Sequence, residues 1–242
     1  MSIRYEVNSN GANLMVALSG ELGLANSTQV RDRLLKCLAE QPDSLLVDLS
    51  AMRVQQPLAL AIFPAVMRQA ARWPGTPVLF CSPTADTREH LSGQAFQRLP
   101  VFDGRDAALA HLHDRRLIMP SISEELLPVS GSSRHARDVT TDACLRWDLP
   151  ELIAPASLVV TELVANVVDH AGTMMTLRLS LRPRYLNVAV RDGSHDPPVA
   201  AGPASLEASR GRGLLLVTEL AYRWGYLPSQ DGKVVWAALR RT

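Results

Sequence analysis

The chain has 242 residues, which is enough for one large domain or for two of ordinary size. Its 25 basic and 24 acidic side chains nearly balance, which weighs against a nucleic-acid-binding protein, because such proteins usually carry a basic excess. Apolar residues make up 47% of the chain, so real hydrophobic cores are expected.

The N-terminus and the cysteines indicate the compartment. The start, MSIRYEVNSNG, has no basic segment followed by an apolar one, so no secretory signal is expected. The apolar stretch PLALAIFPAVM is too short to span a bilayer, and Pro64 interrupts it. Cys37, Cys81 and Cys144 are odd in number and show no metal-like or paired spacing. We therefore expect a cytoplasmic protein with reduced thiols and no membrane partner.

Strand-like and helix-like patterns alternate through the first half of the chain. Strands are predicted at 14–20, 44–50, 76–82 and, more weakly, 99–104. Helices are predicted at 26–41, with Asn26 or Ser27 as N-cap, at 57–73 and at 105–117. This alternation predicts a mixed sheet with helices packed on it.

A change of composition divides the chain. Residues 118–132 are rich in Ser and Pro and contain Gly131, which is typical of a linker. The sequence thus predicts two α/β domains, 1–117 and 133–242.

The second half has a different order of elements. Helices are predicted at 133–147, 151–171 and 211–225, a hairpin at 173–193 that turns at 182–184, and a closing strand at 233–241. The stretch 194–211 is rich in Pro, Ala, Gly and Ser, and long irregular segments of this kind are often lids.

The segment ELVANVVDHAG places three polar side chains on an otherwise apolar helix. Glu162, Asn166 and His170 are four residues apart and therefore share one face, with Asp169 close to Asn166. By itself this stripe is either a solvated helix face, which is the commoner case, or half of a site.

Two further motifs favour the site. Asp192-Gly193 ends an apolar strand, where the carboxylate can accept a hydrogen bond from an amine such as that of adenine, and glycine lets a flat ring approach. Gly211 and Gly213 precede a helix, whose free N–H groups would face a phosphate. Alone, the first motif is an ordinary turn and the second a flexible helix entry.

Together and in this order, TELVANVVDHA, VRDGSHDPP, GRGLLLVTELAYRWG and GKVVW resemble the Bergerat-fold ATPases, with the anti-sigma factor serine/threonine kinases as the closest subgroup. The resemblance covers about residues 128–241. It implies an α/β sandwich of helices on an antiparallel-rich sheet, with ATP held beside the lid.

The resemblance also implies roles for the polar helix face. Asn166 would coordinate Mg²⁺, a hard cation that takes oxygen ligands. Glu162 would be the catalytic general base that activates the attacking hydroxyl or water. His170 stands where the subgroup usually has His, and no chemical step is assigned to it.

The remaining matched positions would hold the nucleotide. Asp192 would accept a hydrogen bond from the adenine amine, and Gly193 would make room for the ring. Gly211, Arg212 and Gly213 would hold the phosphates. The implied cofactors are ATP and Mg²⁺.

Residues 3–115 resemble a STAS domain, the fold of anti-sigma factor antagonists, through LSGELGLANSTQVRDRL and LLVDLSAMRVQQPLALAIF. Phosphorylatable members read Asp-Ser-Ser-Gly or close to it where this chain has Gln56-Pro57-Leu58-Ala59. Leu58 has no hydroxyl to accept a phosphoryl group. We interpret the domain as a degenerate antagonist kept for binding or assembly, the alternative being that residues 54–60 are merely a loop and a helix start.

Three functions follow from these resemblances. The favoured one is an ATP-binding regulator of a bacterial partner-switching system, acting as a protein serine/threonine kinase on a separate STAS antagonist. The alternative is a weakly catalytic, ATP-dependent switch that controls the exchange of sigma factor and antagonist through its STAS-like domain. The third, a purely structural role without nucleotide, conflicts with the Asp-Gly and Gly-x-Gly motifs. The expected partners are a sigma factor, a STAS antagonist or both; no nucleic acid is expected, and a homodimer is compatible with the resemblance.

Overall fold

The chain folds as two units, Met1–Leu117 and Ile118–Thr242, in a computed structural model that describes residues 3–10, 12–114, 120–198 and 213–241. Each unit contains its own five-stranded sheet and its own hydrophobic core. The predicted fold class, a mixed sheet with helices followed by a second α/β unit, is confirmed.

The sheet of the first unit is mixed. Its strands, in spatial as well as chain order, are β1 (Arg4–Asn10), β2 (Asn13–Leu22), β3 (Ser44–Val54), β4 (Val78–Cys81) and β5 (Val101–Phe102). β1 pairs antiparallel with β2, and the other pairs are parallel. The continuous apolar run of β4 is buried at all four positions, as expected for a parallel strand covered on both faces.

The helices of the first unit are α1 (Leu24–Ala39), α2 (Ile62–Arg72), α3 (Ala85–Leu91) and α4 (Arg105–Asp114). The predicted helix 57–73 is divided, because Pro57–Ala61 forms a 3-10 turn before α2. β1, which the sequence pattern does not predict, pairs along its whole length with β2.

The start of α1 corrects the predicted N-cap. The helix begins at Leu24 after Gly23, and neither Asn26 nor Ser27 is its N-cap. Instead, the Gly23 N–H donates to Asn26 Oδ1 at 3.1 Å, and the Leu24 N–H donates to Gln56 Oε1 at 2.8 Å. A glutamine from a distant loop satisfies a free donor of the first turn, and sequence spacing does not reveal such a contact.

The sheet of the second unit is antiparallel throughout. Its strands are β6 (Ser121–Leu126), β7 (Met175–Leu181), β8 (Tyr185–Asp192), β9 (Arg223–Pro228) and β10 (Lys233–Arg240), in the spatial order β6-β7-β8-β10-β9. Its helices are α5 (Ser132–Arg146), α6 (Ile153–Asn166) and α7 (Gly213–Leu220). The β7–β8 hairpin turns at residues 182–184 as predicted, with the Arg182 N–H donating to the Tyr185 carbonyl at 2.8 Å.

Two sequence assignments in this unit are wrong. The stretch 118–132, predicted as a linker, contains the edge strand β6. The more buried side chains of β6 alternate with exposed Ser and Glu side chains, so its sequence looks polar and gives a weak strand signal. The helix predicted at 211–225 ends at Leu220, because the chain then pairs with β10 as strand β9. Tyr and Trp in that stretch favour a strand once a partner strand is present.

The central helix of the second unit is strongly apolar. By length and composition alone, Pro150–Ala171 is the one helix among the described residues that could cross a membrane. In the structure its side chains Val159, Val160, Leu163 and Val164 are buried in the core of this unit. A buried core helix passes the same test of length and apolarity.

Candidate functional site

Helix α6 carries the first two predicted site residues. Glu162 and Asn166 are one turn apart and both partly buried. The buried residues Val159, Leu163 and Val164 attach the helix to the core. The amphipathic pattern therefore places the carboxylate and the amide on one shared face.

His170 lies beyond the end of the α-helix. The α-helix ends at Asn166, and Val167–Ala171 continues as a π-turn that Gly172 closes at φ 62°, with the Gly172 N–H donating to the Val167 carbonyl at 2.8 Å. A π-turn has more residues per turn than an α-helix, so the regular α-helical spacing ends at Asn166. Asp169 and His170 are exposed, whereas Glu162 and Asn166 are partly buried. Such π-turns are frequent at functional sites.

Gly213 lies against Glu162. A Cβ atom at Gly213 would overlap Glu162 Oε2 and lie 3.2 Å from its Cδ. Helix α7 therefore begins beside the Glu162 carboxylate, and a larger residue at this position would displace that carboxylate. Gly211 and Arg212, predicted to hold phosphates, fall outside the described residues, as does the predicted lid from residue 199 onward.

Asp192 ends β8 and is 3% exposed. Its Oδ1 accepts hydrogen bonds from Lys233 Nζ at 2.9 Å and from the Ser194 N–H at 2.8 Å. Its Oδ2 is buried and has no hydrogen-bond partner among the described residues. One carboxylate oxygen is thus fixed by the protein, while the other is left with acceptor capacity.

Lys233 was not identified from the sequence. It lies directly opposite Asp192 in the β8–β10 pairing, and both side chains are nearly buried, with 10% and 1% exposed. Its cation compensates the buried carboxylate, which would otherwise be very costly. A lysine at the start of the apolar strand KVVWAAL was the available signal, but only the strand register identifies its partner.

The free oxygen of Asp192 fits an adenine amine. Burying an acceptor without a donor costs about 1–3 kcal/mol of folding free energy. Such atoms in native proteins therefore usually bind a ligand, a water or an ion. An exocyclic amine placed against Oδ2 would satisfy the acceptor.

Two glycines adjoin Asp192, but only one is required by the protein's own packing. The Gly193 N–H donates to Thr173 Oγ1 at 3.0 Å, and a Cβ atom at Gly193 would lie in ordinary contact, 3.4 Å from Thr173. A Cβ atom at Gly232, by contrast, would overlap the Asp192 carbonyl and lie 2.7 Å from Gly193 Cα. The β9–β10 turn therefore packs on the end of β8 only because residue 232 is glycine.

The donor set at α6 suits a magnesium ion carried by phosphates. Among the described residues no three His, Cys, Asp or Glu side chains converge on a common point. Asn166 offers a single amide oxygen from a partly buried position. Mg²⁺ commonly takes one or two protein oxygens and completes its shell with phosphate and water.

In the first unit, Gln55 and Gln56 precede Leu58 and both contact the start of α1. Gln56 accepts from the Leu24 N–H, and a Cβ atom at Gly23 would come within 2.6 Å of Gln55 Oε1. Leu58 stands on the 3-10 turn with 76% of its surface exposed. The loop presents an apolar side chain to solvent at this position.

Comparison with known proteins bears on both units. Residues 130–239 match the family model described as the histidine kinase-like ATPase domain. An uncharacterized protein of Streptomyces coelicolor is 38% identical over 80 residues, which are 31% of this chain and 76% of that protein.

Solved structures of anti-sigma factor antagonists are similar to the N-terminal half. One, from Mycobacterium paratuberculosis, is 22% identical, covers 47% of this chain and 96% of its own, and has a TM-score of 0.42. A second structure, of a variant of RsbS from Moorella thermoacetica, is 17% identical, covers 46% and 97%, and has a TM-score of 0.40.

Proposed function

The chain belongs to the histidine kinase-like ATPase family through residues 130–239, and we propose that it is an ATP-binding regulator of a bacterial partner-switching system. The observation that carries ATP binding is the buried Asp192 carboxylate, held through Oδ1 by Lys233 and left open at Oδ2. The carboxylate can accept a hydrogen bond from an amine without rearranging, which lowers the free-energy cost of binding the ligand.

The favoured activity is transfer of the γ-phosphoryl group of ATP to a serine or threonine hydroxyl of a separate STAS protein. A bond forms between the hydroxyl oxygen and the γ-phosphorus, the bond to the β–γ bridging oxygen breaks, and ADP leaves. Glu162 takes the hydroxyl proton as general base, a role suited to a partly buried carboxylate on a rigid helix. Asn166 would hold Mg²⁺, which would neutralise charge on the phosphates.

Gly213 supports this assignment by its position. Its close approach to Glu162 brings the N-terminal turn of α7 beside the proposed base. Phosphate groups bind favourably at such helix N-termini. General base and phosphate would then meet on the same side of α6. Gly211 and Arg212 would complete the phosphate contacts, and Gly193 would lie beneath the adenine ring.

The substrate is proposed to be a second protein because Leu58, which the resemblance aligns with the phosphoacceptor serine, has no hydroxyl. Pro57 precedes Leu58 on the 3-10 turn Pro57–Ala61. The proposed partners are a cytoplasmic STAS antagonist that retains this serine and a sigma factor that competes for the regulator.

A second candidate function is an ATP-dependent binding switch with little turnover. It is favoured by the exposed Leu58 and by the loop that Gln56 fixes onto α1, because a rigid loop without a hydroxyl suits binding rather than phosphorylation. In this version nucleotide occupancy of the second unit controls which partner is bound.

Two variants on α6 separate these functions. The partner is first isolated by pull-down from the native cytoplasm with and without Mg²⁺-ATP, and its phosphosites are mapped by mass spectrometry. Glu162→Ala should then leave ATP affinity within a few-fold but lower transfer to that partner by roughly 10²–10⁴-fold, as for loss of a general base. Asn166→Ala should weaken Mg²⁺-ATP binding itself, and Glu151→Ala, at an exposed carboxylate, is the matched control.

The kinase assignment fails if wild type transfers no phosphate to any co-purifying STAS protein and Glu162→Ala changes neither ATP hydrolysis nor partner choice. If partner exchange still depended on ATP, the binding switch would be the remaining function. Loss of ATP binding in Glu162→Ala would instead place Glu162 among the nucleotide-binding residues.

A further inference from the structure

The end of the second sheet that lies away from Asp192 carries a separate polar cluster. In the β8–β10 pairing Asp192 lies opposite Lys233 at one end, and Tyr185 lies opposite Arg240 at the other. Seven residue steps at about 3.3 Å per step put these ends roughly 23 Å apart. The cluster is therefore distinct from the proposed nucleotide site.

This end forms a cleft of about 580 Å³, called here the arginine–tyrosine cleft. It is lined by Pro183, Arg184, Tyr185, Tyr222, Arg240 and Arg241. Its volume lies in the usual range for sites that hold small ligands or single recognition groups.

The arginines of the cleft are not paired with acidic side chains among the described residues. Within the part of the chain that the structure describes, none of Arg184, Arg240 and Arg241 forms an ion pair with a carboxylate. Arg184 and Arg240 are also exposed. The whole chain carries a formal net charge of only +1, so this excess of positive charge is local.

Hydrogen bonds to the backbone hold the walls of the cleft in place. Arg241 Nη1 donates to the carbonyls of Arg182 and Pro183 at 3.3 and 3.4 Å, and the Arg241 N–H donates to the Arg184 carbonyl at 3.0 Å. The β7–β8 turn and the end of β10 are thereby tied together. Arg184 and Arg240 consequently stand on a fixed framework.

The two tyrosines form the wall of the cleft rather than an open platform. The rings of Tyr185 and Tyr222 stack with centroids 5.2 Å apart, and the Arg223 guanidinium lies 4.7 Å from the Tyr222 centroid. Hydrogen bonding to Arg223, and then to Tyr185, lowers the pKa of the Tyr222 phenol. Because its neighbours already engage the Tyr222 ring, stacking of a nucleobase there is not favoured.

We propose that the arginine–tyrosine cleft is a binding site for a phosphate monoester. Guanidinium groups pair with phosphate through two parallel hydrogen bonds, and their planar forks favour such oxyanions. A phosphate monoester carries about −1.5 to −2 charges at pH 7, so one small group can engage two arginines. A single carboxylate carries only one negative charge and matches the cluster less well.

Calorimetry on the full chain without nucleotide tests the proposal, with O-phospho-L-serine as the probe and N-acetyl-L-glutamate as the carboxylate comparison. Wild type should bind phosphoserine saturably and at least tenfold more tightly than the glutamate compound. The double variant Arg184→Gln, Arg240→Gln should weaken phosphoserine binding at least tenfold. The matched control Arg134→Gln, Arg146→Gln changes two exposed arginines of α5 and should stay within twofold of wild type.

Further titrations distinguish two classes of ligand that could supply the phosphate. Binding of a blocked Ala-phosphoSer-Ala tripeptide at least tenfold more tightly than free phosphoserine or glucose 6-phosphate assigns the site to phosphorylated protein segments. Similar affinities assign it to small phosphorylated molecules.

The proposal is overturned if wild type shows no saturable phosphoserine binding, if the cleft and control variants bind equally, or if glutamate binds as tightly as phosphoserine. Its failure is distinguishable from failure of the nucleotide site. Asp192→Asn should leave phosphoserine binding unchanged, and the cleft variant should leave Mg²⁺-ATP binding unchanged.

Discussion

At the scale of single residues, the Asp192–Lys233 pair is the most consequential contact in the second unit. Both side chains are nearly buried, so the pair must offset a desolvation cost of several kcal/mol per ion. The hydrogen bonds from Lys233 Nζ and the Ser194 N–H to Oδ1 supply part of that compensation. The pair thus fixes the carboxylate that we propose recognises adenine, and its stability depends on both partners.

Removing Lys233 should destabilise the second unit because it leaves a buried carboxylate without its cation. We expect Lys233→Met to cost about 3–5 kcal/mol, the range for breaking a buried ion pair. Adding Asp192→Asn should restore part of the loss. Hydrogen exchange of the β8 and β10 amides across a urea series reads this unit separately from the first, and a cost under about 1 kcal/mol would contradict the buried-pair interpretation.

Sequence patterns identified the acceptor but not its partner. Asp192 stands out because a carboxylate and a glycine end an apolar strand. Lys233 lies 41 positions later, and only the antiparallel register of β8 and β10 places it opposite Asp192. The unpaired Oδ2 is likewise invisible to spacing rules, since burial and hydrogen bonding depend on the whole packed site.

At the scale of elements, the long apolar segments were the most predictable. The buried faces of α1 and α6 follow directly from their spacing. Edge elements were not: β1, β6 and β9 are stabilised by pairing with a neighbouring strand, so their own sequences give weak signals. The π-turn after Asn166 was not predicted either, because an argument from residue spacing assumes an uninterrupted α-helix.

Two glycines should respond differently to substitution by alanine. At Gly232 the added Cβ meets backbone atoms of Asp192 and Gly193, so Gly232→Ala should separate the β9–β10 turn from β8 and lower both stability and ATP affinity. At Gly213 the Cβ meets the end of the flexible Glu162 side chain, so Gly213→Ala should fold normally but displace the proposed base.

Thermal unfolding, ATP affinity and phosphoryl transfer measured for both variants test this contrast. Gly93→Ala serves as a control, since its added Cβ would make only ordinary contacts. A stable Gly232→Ala protein with wild-type ATP affinity would contradict the packing described for the β9–β10 turn.

At the scale of the whole molecule, both cores sequester thiols. Cys37, Cys81 and Cys144 are buried, and burial raises the pKa of Cys37 and of Cys144 to about 11. Burial is also the main cause that raises the pKa of Cys81. Because the thiolate is the reactive form, these cysteines should be inert while the chain is folded.

We therefore expect almost no reaction with Ellman's reagent over minutes at pH 8 and complete reaction of three thiols after unfolding in urea. The folded state holds these protons more tightly than the unfolded state. This contribution to stability is complete below the ordinary thiol pKa and is lost as pH rises towards about 11. Rapid stoichiometric labelling of the native protein would contradict the buried cores.

The division into two units determines how the whole molecule should be tested. The second unit begins at Ile118 and includes β6, so a fragment starting near residue 125 would lose most of an edge strand. The composition of 118–132 conceals this strand, which is why the sequence alone predicts a linker there. The full chain is accordingly the proper material for binding measurements.

The most direct test of the central claim is calorimetric titration of the full chain with Mg²⁺-ATP, comparing wild type, Asp192→Asn and the exposed control Asp142→Asn. Asparagine can keep an oxygen towards Lys233, but it then turns an NH₂ donor towards the adenine amine. Wild type and control should bind one ATP with equal affinity, and Asp192→Asn should bind roughly 10–100-fold more weakly, corresponding to about 1.5–3 kcal/mol for a hydrogen bond to a charged group. Absence of saturable heat in the folded wild type, or equal affinity in Asp192→Asn, would contradict the nucleotide site.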